Sequence, residues 1–190
     1  MQPSLLELLG SLDDVFAELE IRWYLFGAQA AILYGAARLT ADVDVTVKLG
    51  EVSTASLATA LTDAGFELRF DDREFVEQTR VLPIFHCTTG MAVDLVLAGP
   101  GLEELFLQRR HLKQLGGRSF PVVGPEDLIV LKTLAGRRKD FEDVLAVLAA
   151  NQGRLNLTQV RKTLEMLEKA LGQSNLLPQL ENALQHAGNQ

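Results

Sequence analysis

Residues Asp42-Val43-Asp44-Val45-Thr46-Val47 alternate polar and apolar side chains without a break. That is the period of a half-buried strand: Asp42 and Asp44 leave one face, while Val43, Val45 and Val47 turn to the core. Two carboxylates on one strand face repel each other unless a cation lies between them. Taken alone, such a pair is more often a solvated strand face than a site. A third aspartate, Asp94, interrupts the apolar run Val93-Asp94-Leu95-Val96, where an acid needs a partner. If that run neighbours residues 42–47, three carboxylates share one place. Oxygen donors of this kind suit a hard cation such as Mg²⁺, which keeps waters for a phosphate to replace. Two such ions can clamp the attacking and leaving oxygens of a phosphoryl transfer, with Asp94 as base for an acceptor hydroxyl.

The surrounding chain reads as a mixed α/β half followed by a helical half. Leucines at helical spacing predict a helix over 4–19, and Arg22 to Phe26 reads as a strand. Gly27 then turns into a short helix that Gly35 stops. Ser53 is placed to cap a helix ending near Gly65. A strand follows over 66–70, and the runs 80–86 and 91–98 form a hairpin around Cys87-Thr88-Thr89-Gly90. Residues 102–110 read as a helix and 111–123 as a possible second hairpin. Pro125 opens a helix to Leu134, Asp140 starts the next, Thr158 is read as the cap of a third, and Ser174 or Asn175 opens a fourth. The expected organisation is an α+β domain over 1–124 and a helical region over 125–190 packed on it.

The 190-residue chain carries 47% apolar and 23% charged residues, the composition of an ordinary globular protein. No apolar run spans a bilayer, and Met1-Gln2-Pro3-Ser4 lacks the basic flank of a signal peptide. Cys87 is the only cysteine, which removes internal disulfides and four-cysteine zinc sites and makes a cytoplasmic location the default. The net charge of −7 disfavours broad adhesion to nucleic acid. It is unevenly spread. Residues 1–100 hold 6 Lys/Arg against 15 Asp/Glu (−9), and residues 101–190 hold 12 against 10 (+2). A metal-binding half beside an anion-binding half fits this asymmetry, as do solvated faces that merely differ in charge.

Phe26-Gly27-Ala28, thirteen residues, then Asp42-Val43-Asp44-Val45 resembles the signature of the nucleotidyltransferase-fold superfamily, with Asp94 as the acid of a later strand. Arg38-Leu39-Thr40-Ala41-Asp42-Val43-Asp44 is similar to a run in bacterial abortive-infection-type, toxin-like minimal nucleotidyltransferases. Glu126 to Lys132 and Arg137 to Asp143 resemble their later Lys and Lys-Asp motifs. The resemblance spans roughly residues 22–150. It implies a mixed sheet flanked by helices and Mg²⁺- or Mn²⁺-dependent transfer of a nucleoside monophosphate from an NTP to a hydroxyl. The acceptor is an RNA end, a protein or a small molecule, and a cognate antitoxin or a homodimer are partners such proteins can have. The implied ligands of the metal are Asp42, Asp44 and Asp94; Gly27, Ala28, Arg38, Thr40 and Lys132 would meet the nucleotide, ATP among the candidates.

Each of these residues also has a physical reading. Gly27 at a strand-to-helix turn lets backbone N–H groups approach a phosphate. Ala28 stands where the family usually has Gly or Ser; it keeps its N–H but offers no hydroxyl. Arg38 and Thr40 either serve the triphosphate and a carboxylate or form a surface loop paired with Asp42 or Asp44. Lys132, on an apolar helix face, needs an anion, which is a phosphate or else Asp140 or Asp143. His86, His111 and His186 have no metal spacing. Asp42 to Thr46 also spells the Asp-x-Asp-x-Thr of haloacid-dehalogenase-type phosphatases, in which Asp42 would end a strand as nucleophile. The third possibility is a degenerate module that binds nucleotide or a partner without turnover.

Overall fold

The computed structural model of the chain describes residues 3–70 and 73–188. Met1 and Gln2, part of the N-terminal stretch considered above, lie outside the described residues. The chain divides into two compact units, residues 1–29 with 40–123 and residues 30–39 with 124–190. No helix among the described residues is long and apolar enough to cross a membrane.

In the first unit the chain runs α1 (Pro3–Glu18), β1 (Arg22–Phe26), the start of α2 (Gly27–Leu33), β2 (Val43–Lys48), α3 (Thr54–Asp63), β3 (Phe66–Leu68) and α4 (Arg73–Thr79). It continues through β4 (Val81–His86), β5 (Ala92–Leu97), α5 (Leu102–Arg109), β6 (His111–Leu115) and β7 (Arg118–Val122). The seven strands make one mixed sheet in the order β3-β4-β5-β2-β1-β7-β6. Both expected hairpins form, β4 with β5 and β6 with β7, each antiparallel. β2 lies antiparallel to β1 and parallel to β5. The valines of β2 are fully buried, as their alternation requires. Leu8, Leu9, Leu12 and Phe16 of α1 are equally buried, each side chain contributing about 1.5–3 kcal/mol by leaving water.

Two local features differ from the expectation. Helix α4 has no sequence stop signal: it ends at Arg80, which takes the left-handed conformation usual for glycine (φ +58°). Strand β3 is shorter than the run 66–70, although the Arg69 N–H still donates to the Pro83 carbonyl at 3.0 Å.

The second unit contains α6 (Pro125–Ala135), α7 (Arg138–Ala150), α8 (Leu157–Leu171) and α9 (Leu176–Ala187). Pro125 opens α6, and Gly136 closes it in the left-handed region (φ +65°). The cap of α8 is Asn156, whose side chain accepts from the Gln159 N–H at 3.1 Å; Thr158 falls inside the first turn instead. Asn and Thr compete for the same orphan N–H groups, and Asn is the better cap.

His86 closes β4 in the first unit. Its ring is buried, lies 4.7 Å from the Phe66 ring, and exchanges a 3.0 Å hydrogen bond between Nδ1 and Thr89 Oγ1. Burial pushes its pKa below 6.5, against a weaker upward pull from Glu7. The unfolded chain then takes up a proton near 6.5 while the folded chain stays neutral. This contribution to stability is full above 6.5 and is lost as pH falls from there through the folded value. Thermal midpoints measured on either side of that pH should therefore drop more in the wild type than in His86→Phe, which keeps the ring packing and loses the titration.

Candidate active site

The register of the sheet builds the site. Phe26 lies opposite Asp44, Asp44 opposite Asp94, and Asp94 opposite Pro83. Residues in register share a face, so Asp44 and Asp94 emerge side by side from the parallel pair β2 and β5. Both are half-buried. One strand further, Arg69 follows Leu68, which pairs with Ile84, so it comes level with Pro83. Its guanidinium reaches past Pro83 and pairs with the Asp94 carboxylate. Sequence reading missed Arg69, because its partner lies 25 residues away across an intervening strand.

Gly27 follows Phe26 on the other side of Asp44. Its φ is +67°, and a Cβ there would fall 1.8 Å from Asp44 Oδ2. No side chain fits at position 27 unless Asp44 moves. Glycine thus lets the carboxylate lie directly against the backbone at the start of α2. Ala28, the next residue, is buried.

Asp42 precedes β2 and is exposed, and its N–H donates to Thr40 Oγ1 at 3.3 Å. Thr40 therefore shapes the turn into the strand. Because β2 begins after Asp42, Asp42 does not end a strand, and the phosphatase arrangement has no basis in this fold. Among the described residues no three Asp, Glu, His or Cys side chains are gathered as a metal cage. Asp44 and Asp94 nonetheless offer adjacent carboxylates on a partly open face. One or two carboxylates with waters and substrate oxygens is how Mg²⁺ is usually held, so this donor set fits it.

Arg38 and Lys132 belong to the second unit. Arg38 Nη1 donates to Asp143 Oδ2 at 2.8 Å, and Lys132 Nζ reaches Asp143 Oδ2 at 2.7 Å and Asp140 Oδ1 at 3.0 Å. Arg137 Nε adds a 2.5 Å contact to Asp140 Oδ2. The result is an alternating chain of three cations and two carboxylates. Asp140 is fully buried, and Asp143 and Lys132 nearly so. Burial pushes the Asp140 carboxyl up, but hydrogen bonds from Arg137 and Lys132 outweigh it and leave the pKa below 3.8. Of the two anions considered for Lys132, its partners in the structure are the aspartates.

The fold is one shared with nucleotidyltransferases of solved structure. The chain superposes on the antibiotic-resistance factor ANT(2'')-Ia with a TM-score of 0.61 at 12% identity, over 90% of this chain and 97% of that one. A nucleotidyltransferase-like antigenic protein from Paracoccidioides brasiliensis gives 0.53 at 18% identity, over 94% and 91%. The lincosamide adenylyltransferase LnuA, solved with lincomycin, gives 0.52 at 12% identity, over 77% and 96%. The model of a family described as nucleotidyl transferase of unknown function (DUF2204) matches residues 99–180. That match takes in Lys132, Asp140 and Asp143 and stops short of the carboxylate strands. No curated protein matches the sequence.

Proposed function

We propose that the protein transfers a nucleoside monophosphate from an NTP to a hydroxyl acceptor and releases pyrophosphate. The observation that carries this reading is Asp44, seated against the Gly27 backbone and in register with Asp94. Asp44 and Asp94, with Asp42 at the entry to β2, are the residues that would hold Mg²⁺ or Mn²⁺. Such an ion supplies charge neutralisation to the phosphates during transfer. Gly27 and Ala28 lend backbone N–H groups to the triphosphate, and Asp94 accepts the proton of the acceptor hydroxyl. Thr40 holds the approach to Asp42.

Two of the structural neighbours are antibiotic-modifying enzymes: ANT(2'')-Ia was solved with adenylyl-2''-tobramycin and LnuA with lincomycin. A small polyhydroxylated compound is therefore the first acceptor to try, with RNA ends and protein hydroxyls of a toxin-like enzyme next. The test is incubation with each α-labelled NTP, Mg²⁺ and either aminoglycosides and lincosamides or whole-cell lysate, followed by separation of small molecules, RNA and protein. Label in one fraction gives the acceptor class. Unchanged Mg²⁺-dependent labelling by the Asp42→Ala, Asp44→Ala double variant would sink the assignment.

A second reading, a module that binds nucleotide without turnover, is favoured by Arg69 sitting on Asp94. The two readings divide on Arg69→Ala. In an enzyme, removing the guanidinium is expected to free the carboxylate and tighten Mg²⁺ binding by about threefold to tenfold, as an exposed pair worth about 1 kcal/mol allows. In a module that does not turn over, no NTP is consumed by either form. Calorimetric titration of Mg²⁺ beside a pyrophosphate-release assay distinguishes them.

A further inference from the structure

At the opposite end of β2 and β5 from Asp44 and Asp94, about 13 Å along the strands, Lys48 and Leu97 help to line a cavity of about 340 Å³. Leu49, Val76 and Leu97 give it apolar walls, and Arg80 and Glu77 are its charged members besides Lys48. Lys48 Nζ is already held by Glu104 at 3.1 Å. Arg80 is different. Its N–H donates to the Val76 carbonyl at 2.8 Å and its carbonyl accepts from the Leu97 N–H at 2.8 Å, which fixes the backbone between α4 and β5. Its φ of +58° is a conformation that disfavours every residue with a Cβ, and glycine is the usual occupant of such a helix end. Its guanidinium runs over Gly99, where a Cβ would come within 2.6 Å of Nη1. Among the described residues that guanidinium makes no ion pair or hydrogen bond.

A strained arginine with a free planar fork, set in an apolar-walled cavity over a glycine, is a place to receive a two-oxygen anion. Glu77 on the α4 wall opposes a second negative charge. We propose that this cavity binds a small monocarboxylate with an apolar body, its carboxylate held by Arg80 and its chain laid against Val76 and Leu97. The site is separate from the carboxylate pair of the candidate active site.

The test uses the full chain and hexanoate, with hexanol and hexyl phosphate as comparisons, followed by amide and arginine Nε shifts in NMR. Hexanoate is expected to move the Arg80 Nε–H and the Leu97 and Ala98 amides in a saturable way, and hexanol not to. Arg80→Gly is expected to melt higher than wild type, since glycine relaxes the left-handed position, yet to bind hexanoate about tenfold more weakly or worse. Arg80→Gln, which keeps bulk without charge, should lose binding equally. Equal shifts with hexanol, tighter binding of hexyl phosphate, no saturable shift, or unaltered hexanoate affinity in both variants would each overturn the proposal.

Discussion

Asp44→Asn is expected to lower nucleotidyl transfer by about a thousandfold or more while leaving the fold intact. Asparagine matches aspartate in size, so the packing against Gly27 and the register with Asp94 survive the change. What is lost is one full negative charge where a divalent ion is proposed to sit. Charge stabilisation of a transferring phosphoryl group by a bound metal is worth several kcal/mol, which corresponds to about 10³ or more in rate. Initial rates over a range of Mg²⁺ concentrations provide the measurement, with far-ultraviolet circular dichroism as the folding control. A folded Asp44→Asn enzyme within about tenfold of wild-type rate would remove Asp44 from the metal site.

The second large effect is on stability. Lys132→Met should destabilise the second unit by about 3–5 kcal/mol, because it leaves two buried carboxylates without their shared cation. Asp140 is wholly buried and would retain only Arg137; Asp143 would retain only Arg38. The exposed pair Arg138–Glu142, by contrast, has side chains 95% and 63% accessible. Arg138→Ala is therefore expected to change stability by no more than about 0.5 kcal/mol. Urea unfolding by linear extrapolation compares the two variants directly. A loss below about 1 kcal/mol for Lys132→Met would mean that water or a rearranged side chain already satisfies the aspartates.

Much of this architecture could be read from local sequence pattern. The alternation over 42–47 located β2, Ser53 marked the start of α3, and the small turn Cys87-Thr88-Thr89-Gly90 marked a hairpin. Period, cap and turn are properties of a few neighbouring residues, so one sequence suffices to show them. The order of strands is not such a property. That β5 lies next to β2 was only a condition in the sequence argument; its fulfilment, in a parallel register the sequence did not show, is what sets Asp94 beside Asp44. Arg69 escaped notice because its partner depends on two successive registers, β3 on β4 and β4 on β5. Helix α4 was missed because Arg80 stands where a glycine would have announced its end. Lys132 was correctly read as needing an anion, yet a phosphate and an aspartate make the same demand on a lysine. Only the fold shows Asp140 and Asp143 within reach.

The Arg69–Asp94 pair has a practical corollary. Carboxylates crowded on one sheet face often make a protein dependent on its ion for integrity, so that chelators unfold it. Here the chain carries its own counter-ion, two strands from Asp94 along the same row of the sheet. Treatment with EDTA should accordingly leave the melting curve where it was, and the protein should survive purification and storage stripped of metal, ready to be reloaded.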